Sequence, residues 1–331
     1  MIELQKIFWQ VSRLNFVAAL NDVAAKNLHI LEEQIGLAIA EDSFIFEACE
    51  PLFKGGKRLR PMLFLLCANS KTDCPLEKTM PLATALELIH TASLVHDDII
   101  DTSKKRRGVE TANSKYGAQI AVLIGDYLFA KAFQLVAENN YGAEVTTTLS
   151  KLVKNLCVGE IMQDRSLFEI PTLTEYYTRI NLKTAVFLSS CCRLGAIVSK
   201  MDSREIENLT TYGSGLGLAF QIIDDLLDFF GDEKTTGKPR GGDLKSGVIT
   251  LPVIRALEIS DEATTLKKIV TTGGDVDAAI KIIQTTDAVD YCRTRAEAHI
   301  ESARINLPFT LKTSVALALE QIADFVVDRT R

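Results

Sequence analysis

The sequence predicts an all-α protein, and three observations carry that expectation. Apolar residues recur at three- and four-residue spacing, as in Leu86, Leu88, Ile89, Ala92 and Val95, or Ile222, Ile223, Leu226 and Phe229, which is the period of a helix with a buried face. Sustained strict alternation, the mark of a strand, is hard to find. Only eight prolines occur among 331 residues, and none between Leu82 and Ile170, so long helices meet no imposed stop there.

Along the chain, the helical stretches are punctuated first at Gly55-Gly56 and then from Asn69 to Pro75. The long segment that carries Asp97 closes at Arg107-Gly108, the next at Asn139 to Gly142, and another at Glu169 to Thr172. Further breaks fall at Met201-Asp202, Gly231 to Gly247, Ser260-Asp261, Gly273-Gly274 and Asn306 to Pro308. They delimit roughly ten or more helices, several beyond about 20 residues, well above the usual mean of ~11–12. No composition shift or Ser/Pro-rich linker divides the chain, which predicts one domain over residues 1–331 with a small C-terminal bundle.

An apolar fraction of 47% supplies a sizeable core and excludes disorder. With 37 basic and 43 acidic residues the net charge is −6, which argues against broad binding to nucleic acid, so an anionic ligand must meet a local basic cluster. The seven cysteines form no C-x-x-C pair and read as buried free thiols of a reducing cytosol. Glu3, Lys6 and Arg13 interrupt the first twenty residues, and no unbroken apolar run approaches the roughly 18 residues of a transmembrane helix. A cytoplasmic protein without a transmembrane segment is expected.

Two short motifs match each other: Asp97-Asp98-Ile99-Ile100-Asp101 and Asp224-Asp225-Leu226-Leu227-Asp228. In a helix the first and last aspartates of each stack on one face, with the middle one offset by about 100°. Like charges at that spacing repel, more so when desolvated. One such motif reads equally as a helix face or a cap. Two copies, both framed by apolar residues, point to carboxylates aimed into a cavity and held by a cation. Hard oxygen ligands select Mg²⁺, Mn²⁺ or Ca²⁺, and Mg²⁺ leaves most of its octahedron to water and substrate phosphate. Two triplets on facing helices would form an incomplete cage that closes around a diphosphate.

Basic residues gather near these acids. Lys54, Lys57, Arg58 and Arg60 surround Gly55-Gly56, where backbone can approach a phosphate closely. Lys104 to Arg107 follow the first triplet, either as an anion site or as cations complementing a helix C-terminus. Lys234, Lys238, Arg240 and Lys245 lie in the Gly-rich segment 231–247, a mobile lid or a surface linker. His90 and His96 share the first aspartate helix. A helical histidine is ordinarily a packed or surface residue, but His90 lies two turns before Asp97 on roughly the same face, within reach of a phosphate oxygen.

These motifs, in this order, resemble the all-trans polyprenyl diphosphate synthase family from about Gly55 to Arg331. Gly55-Gly56-Lys57-Arg58-Leu59-Arg60-Pro61 is similar to the family's Gly-Gly-Lys-x-x-Arg-Pro, and Glu87 to His96 leads into the first aspartate motif. Arg106-Arg107-Gly108, Gly125-Asp126, Gly159-Glu160 with Gln163, Lys183-Thr184, Phe220 to Asp228, and Gly237-Lys238-Pro239 follow at family spacing. The resemblance implies an isoprenoid-synthase-type bundle around a central cavity. It implies Mg²⁺ on Asp97, Asp98, Asp101, Asp224, Asp225 and Asp228, with Arg106, Lys183 and Lys238 on the departing diphosphate of an allylic substrate. Isopentenyl diphosphate would sit on Lys57, Arg60, His90 and Arg107, while Gln221 and Thr184 would stand near the allylic diphosphate or the cation. A homodimer, with a heteromeric partner as alternative, is expected, and Ala118 to Phe133 offers an apolar helix face for it. One departure is Val248, where many relatives carry a second lysine; Lys245 compensates, or that contact is missing.

Product length is read from the same helix. One turn before Asp97 stand Ser93 and Ala92, and two turns before it Ile89, so a growing hydrocarbon tail would run along that wall. Short-chain relatives place an aromatic floor four or five residues before the first aspartate. Both positions are small here, which predicts hexaprenyl to octaprenyl diphosphate, a quinone side-chain precursor. The alternatives are a geranylgeranyl diphosphate synthase and a class I terpene cyclase, the latter disfavoured by the Lys57, Arg60 and Arg107 set. A di-iron bundle would need a second Glu-x-x-His beyond Glu87 to His90, and a His-Asp phosphohydrolase leaves the second triplet unexplained. A non-enzymatic subunit would be expected to have lost metal ligands.

Overall fold

The computed structural model describes residues 22–53, 58–106, 108–230 and 240–328, and the chain divides into two compact units. The first comprises residues 1–150, 191–209 and 308–322, the second residues 151–190, 210–307 and 323–331. Sixteen α-helices occur among the described residues, with a single two-stranded hairpin, as the helical spacing predicts.

In the first unit lie α1 (Asp22–Ile39), α2 (Ser43–Phe53), α3 (Leu59–Ala68), α4 (Leu76–Ile100), α5 (Ala112–Tyr116), α6 (Ala118–Glu138) and the start of α7 (Ala143–Arg165). The central helix is α4. It starts ahead of the proline-free stretch, carries Pro81 in its second turn, and from Leu82 to Val95 is apolar and buried around most of its circumference. It packs chiefly on α6, whose small residues permit a close approach. Gly125 lies so near the His96 imidazole that a Cβ there would overlap the ring. His96 Nε2 in turn lies 3.2 Å from the Val122 carbonyl oxygen, so this histidine is part of the α4–α6 packing.

Two local differences from the sequence expectation have clear causes. The basic run after the first triplet is not a helix end. Helix α4 stops at Ile100, Thr102 turns the chain at a φ of 50°, and β1 (Lys105–Arg106) pairs antiparallel with β2 (Val109–Glu110). Also, α6 is the one helix among the described residues long and apolar enough to cross a membrane by length and composition. Asp126 and Lys131 interrupt it, and Ala121, Ile124, Leu128, Ala132 and Val136 are buried, while Val122 and Leu123 are exposed.

The second unit holds the end of α7, α8 (Leu173–Ile180), a π-helical turn (Asn181–Ala185), the start of α9 (Val186–Val198) and the later part of α10 (Ser203–Phe230). It continues through α11 (Gly242–Lys245), α12 (Leu251–Ile259), α13 (Ala263–Thr272), α14 (Val276–Gln284) and α15 (Ala288–Ile305) to the end of α16 (Thr313–Asp328). A capping box starts α8: Thr172 Oγ1 accepts the Glu175 N–H, and the Glu175 carboxylate accepts the Thr172 N–H. Helices α12 to α15 pack together as the small bundle expected near the C-terminus, over Leu251, Leu266, Val270, Ile283 and Cys292.

All seven cysteines are free; five are buried, Cys74 is half-buried and Cys157 is exposed, the one clear exception to the expected burial. Burial pushes the Cys49 thiol up to about 12, and those of Cys191 and Cys292 higher, so these thiols are inert near neutral pH. The α4–α6 approach gives a stability test. Gly125→Val should lower the melting temperature by about 5 °C through overpacking, and adding His96→Ala should restore most of the loss in a thermal scan.

Candidate active site

In the first unit the aspartate triplet stands at the C-terminal end of α4, with Asp101 as the C-cap. That is the negative end of the helix dipole, so cations must offset both the dipole and the mutual repulsion. The hairpin supplies one. It returns Arg106 to Asp98, with Arg106 Nε donating to both carboxylate oxygens at 2.9 and 3.0 Å and Nη2 lying 2.9 Å from Oδ1. Asp98 is buried, while Asp97 is half-buried and Asp101 exposed. The chain end of this clamp is fixed by Thr111, whose hydroxyl donates to the Ser103 carbonyl at 2.7 Å.

Arg60, on the first turn of α3, meets His90 of α4, Nη1 to Nε2 at 3.1 Å. Arg58, counted in the sequence among the candidate anion-binding cations, is instead buried against carboxylates. Its Nε and Nη2 reach Glu32 at 2.6 and 3.0 Å, Nη1 reaches Glu87 at 2.7 Å, and Nη2 also donates to the Phe53 carbonyl. Glu87 is therefore an ion-pair partner. Of the wall residues, Ile89 and Ala92 are fully buried, and Ser93 is half-buried with its hydroxyl donating to the His90 carbonyl at 2.9 Å. A small cavity lies along Thr91, Leu94, Val95, Asp98 and Arg106; Ile89, Ala92 and Ser93 do not line it.

In the second unit Gln221, Asp224, Asp225 and Asp228 occupy the last turns of α10. A hydrogen-bond chain fixes them. The Thr184 hydroxyl donates to Gln221 Oε1 at 2.6 Å, Gln221 Nε2 donates to Asp225 Oδ1 at 2.8 Å, and the Tyr176 hydroxyl donates to Asp225 Oδ2 at 2.7 Å. Asp228 has a different role: its carboxylate accepts the N–H groups of Gly242 and Asp243, each at 3.1 Å, and so caps α11. Lys183 and Thr184 lie in the π-helical turn, a distortion frequent at functional sites. Lys183 pairs with Glu160 at 2.6 Å, and Gly159 beside it leaves room, since a Cβ there would stand 3.0 Å from Leu182 and Lys183. At the end of segment 231–247, of which residues 231–239 lie outside the described residues, Gly247 takes a φ of 83° against the Phe168 ring, the Val248 N–H donates to the Asp243 carbonyl at 2.8 Å, and Lys245 is exposed.

Lys57, Arg107 and Lys238 lie outside the described residues. Sequence reasoning missed Tyr176, Arg179 and Glu32. Arg179 is buried, donates to the Ile249 carbonyl and stacks at 5.8 Å over the Tyr176 ring. A Tyr-x-x-Arg on an amphipathic helix carries no sign of a partner 49 residues away.

The donor set fits a hard divalent cation, being carboxylate oxygen without thiolate or imidazole. Among the described residues no three His, Cys, Asp or Glu side chains converge tightly enough to hold an ion by themselves. Burial, then the neighbouring Asp224 charge, push the Asp225 carboxyl up to about 6 against the lowering contacts of Gln221, Tyr176 and Arg179. Its native form thus holds a proton to about pH 6, whereas the unfolded chain releases it near 4, so stability falls as pH rises between these values. Asp225→Asn should raise the melting temperature of the metal-free protein at pH 8 by a few degrees, on the order of 5 °C, with the difference vanishing at pH 4.

A family model described as "Polyprenyl synthetase" matches residues 42–285. Solanesyl diphosphate synthase 2 of Arabidopsis thaliana, chloroplastic, is 34% identical over 320 residues, covering 93% of this chain and 76% of that protein. A short chain isoprenyl diphosphate synthase of Methanocaldococcus jannaschii is 39% identical over 239 residues, 71% of this chain and 73% of its own. Component 2 of the heptaprenyl diphosphate synthase of Geobacillus stearothermophilus is 37% identical over 294 residues, 86% and 90%. The crystal structure of a polyprenyl synthase from Caulobacter crescentus, complexed with calcium and isoprenyl diphosphate, has a TM-score of 0.86 at 31% identity and covers 95% of this chain and 98% of that one.

Proposed function

Because the chain belongs to the polyprenyl synthetase family and is a prenyltransferase that joins isopentenyl diphosphate to an allylic diphosphate, we propose that its product is a long-chain all-trans polyprenyl diphosphate, hexaprenyl to octaprenyl, used as a quinone side-chain precursor. The observation that carries this reading is the pair of small residues Ala92 and Ser93 on α4, where an aromatic floor would stop elongation. The family match runs through residues of both units, which supports one synthase domain over the chain.

Divalent metal goes with the family, and Mg²⁺ is the ion proposed here. The six expected ligands are Asp97, Asp98, Asp101, Asp224, Asp225 and Asp228, of which Asp98, Asp225 and Asp228 also accept from protein donors that fix their orientation. Bound Mg²⁺ supplies positive charge to a departing diphosphate. Arg106 and Lys183 donate to the same group, with Lys238 outside the described residues. Gln221 and Thr184, oriented by their hydrogen bond, present fixed dipoles near the allylic carbon. Arg60 and His90, with Lys57 and Arg107, hold isopentenyl diphosphate so that its double bond attacks. Loss of a proton then leaves a product one isoprene unit longer, without a protein nucleophile.

A cytoplasmic location accords with seven free thiols. A homodimer built on Val122 and Leu123 of α6 accords with the exposure of these two apolar side chains. Leu123→Asp should shift the mass measured by light scattering from dimer towards monomer; an unchanged mass places the interface elsewhere.

The purified chain with Mg²⁺, farnesyl diphosphate and isopentenyl diphosphate should yield products of 30 to 40 carbons by reversed-phase chromatography. Geranylgeranyl diphosphate as the sole terminal product would support the short-chain reading instead, and activity only with a second polypeptide would make this the catalytic subunit of a heteromer. Ala92→Phe should shorten the product by at least one isoprene unit, and Asp97→Ala should lower kcat by about 10³-fold.

A further inference from the structure

The basic segment before α3 looks uniform in sequence, yet its two described arginines are placed in opposite ways. Arg60 lies against His90. Arg58, at the N-cap of α3, has a buried side chain and a left-handed backbone, φ 50° and ψ 32°, which a residue with a Cβ adopts only when its surroundings impose it. What imposes it is the guanidinium. Glu32 of α1 takes Nε and Nη2 in a two-point fork, Glu87 of α4 takes Nη1, and the last carbonyl of α2 takes the other Nη2 hydrogen. All but one of its N–H groups are thereby used.

These contacts bear directly on the neighbouring pair. Glu87 and His90 are one helical turn apart on α4, and Arg58 and Arg60 are two residues apart at the start of α3. The pairs Arg58–Glu87 and Arg60–His90 therefore clamp the same two helix segments at adjacent points. If the first contact is lost, one of the two polar points that fix the start of α3 on α4 goes with it, and the Arg60 guanidinium shifts relative to His90. A displacement of about 1 Å is enough to weaken a bound anion's contacts substantially.

We propose that Arg58 is a positioning residue and not a diphosphate ligand: held by Glu32 and Glu87, it sets the register of α3 on α4 and so places Arg60 beside His90 for isopentenyl diphosphate. This rests on the reading that Arg60 and His90 bind that substrate. Arginine rather than lysine is required, because an ammonium cannot form the Glu32 fork while also reaching Glu87 and the Phe53 carbonyl.

The two roles for Arg58 predict opposite signs. A ligand freed from its carboxylates would bind diphosphate better, so Glu32→Gln and Glu87→Gln would lower the KM for isopentenyl diphosphate. A positioning residue predicts that both raise it, by about tenfold, with Arg58→Lys doing the same, while the KM for the allylic substrate stays within twofold and kcat within threefold. Glu32 is half-exposed, so Glu32→Gln loosens the fork that orients the Arg58 guanidinium towards Glu87 without leaving a charge unpaired in the core, and that variant tests the proposal even where Arg58→Lys fails to fold. In steady-state kinetics on the purified full chain, Arg58→Lys combined with Glu87→Gln should cost far less than the product of the single effects. A lowered or unchanged isopentenyl KM in the glutamate variants, or an equal rise for both substrates, overturns the proposal. Arg60→Ala separates the underlying reading: if it leaves the isopentenyl KM unchanged, the substrate assignment itself has failed.

Discussion

The controlling constraint is negative charge gathered at the C-terminal ends of two helices. Asp97, Asp98 and Asp101 end α4, and Asp224, Asp225 and Asp228 end α10, so each triplet adds to the negative pole of its own helix dipole. Each cluster is met by protein donors. In the first unit Arg106 pairs with Asp98, and in the second Gln221 and Tyr176 donate to Asp225 while the α11 backbone donates to Asp228. Each triplet thus sits on a face held rigid by its neighbours.

The supporting elements follow from that constraint. A two-residue hairpin exists to return Arg106 to Asp98, and a π-helical turn sets Lys183 and Thr184 out from the regular helix. The Tyr176–Asp225–Gln221–Thr184 chain settles which way the Gln221 amide faces, since its oxygen accepts and its nitrogen donates. Such orientation before substrate arrives is what lets fixed dipoles act without rearranging during the reaction.

Much of this was legible in the sequence because it is local. The helical period and the two Asp-Asp-x-x-Asp spacings report directly on a face and a cluster. What was not legible depends on partners far away in the chain. Arg58 and Arg60 look alike in sequence, and only Glu32 and Glu87, 26 and 29 positions from Arg58, separate a buried clamp from a cation beside His90. Asp98 and Asp97 differ likewise by one position and about 100° of helix rotation, enough to give one of them to Arg106. The basic run from Lys104 left an anion site and a helix end both open in the sequence, because the hairpin that turns Arg106 back onto Asp98 of α4 is a contact across the chain that composition does not report.

Pairing also bears on turnover. Arg106 and Lys183, assigned to the departing diphosphate, already hold Asp98 and Glu160 in its absence. A cation shared with a carboxylate attracts a diphosphate less than a bare one would, and that weakening applies to substrate and product alike. An elongating synthase must bind an allylic diphosphate, cleave it, and then release or reposition a product bearing the same group, so uniformly tight binding would slow the cycle without aiding the chemical step. Carboxylate partners keep the two cations positioned between turnovers and temper their grip. The extra stabilisation needed as charge builds on the leaving oxygen would come from divalent ions held by the aspartate triplets, since the positive charge they supply counts for more as that charge grows.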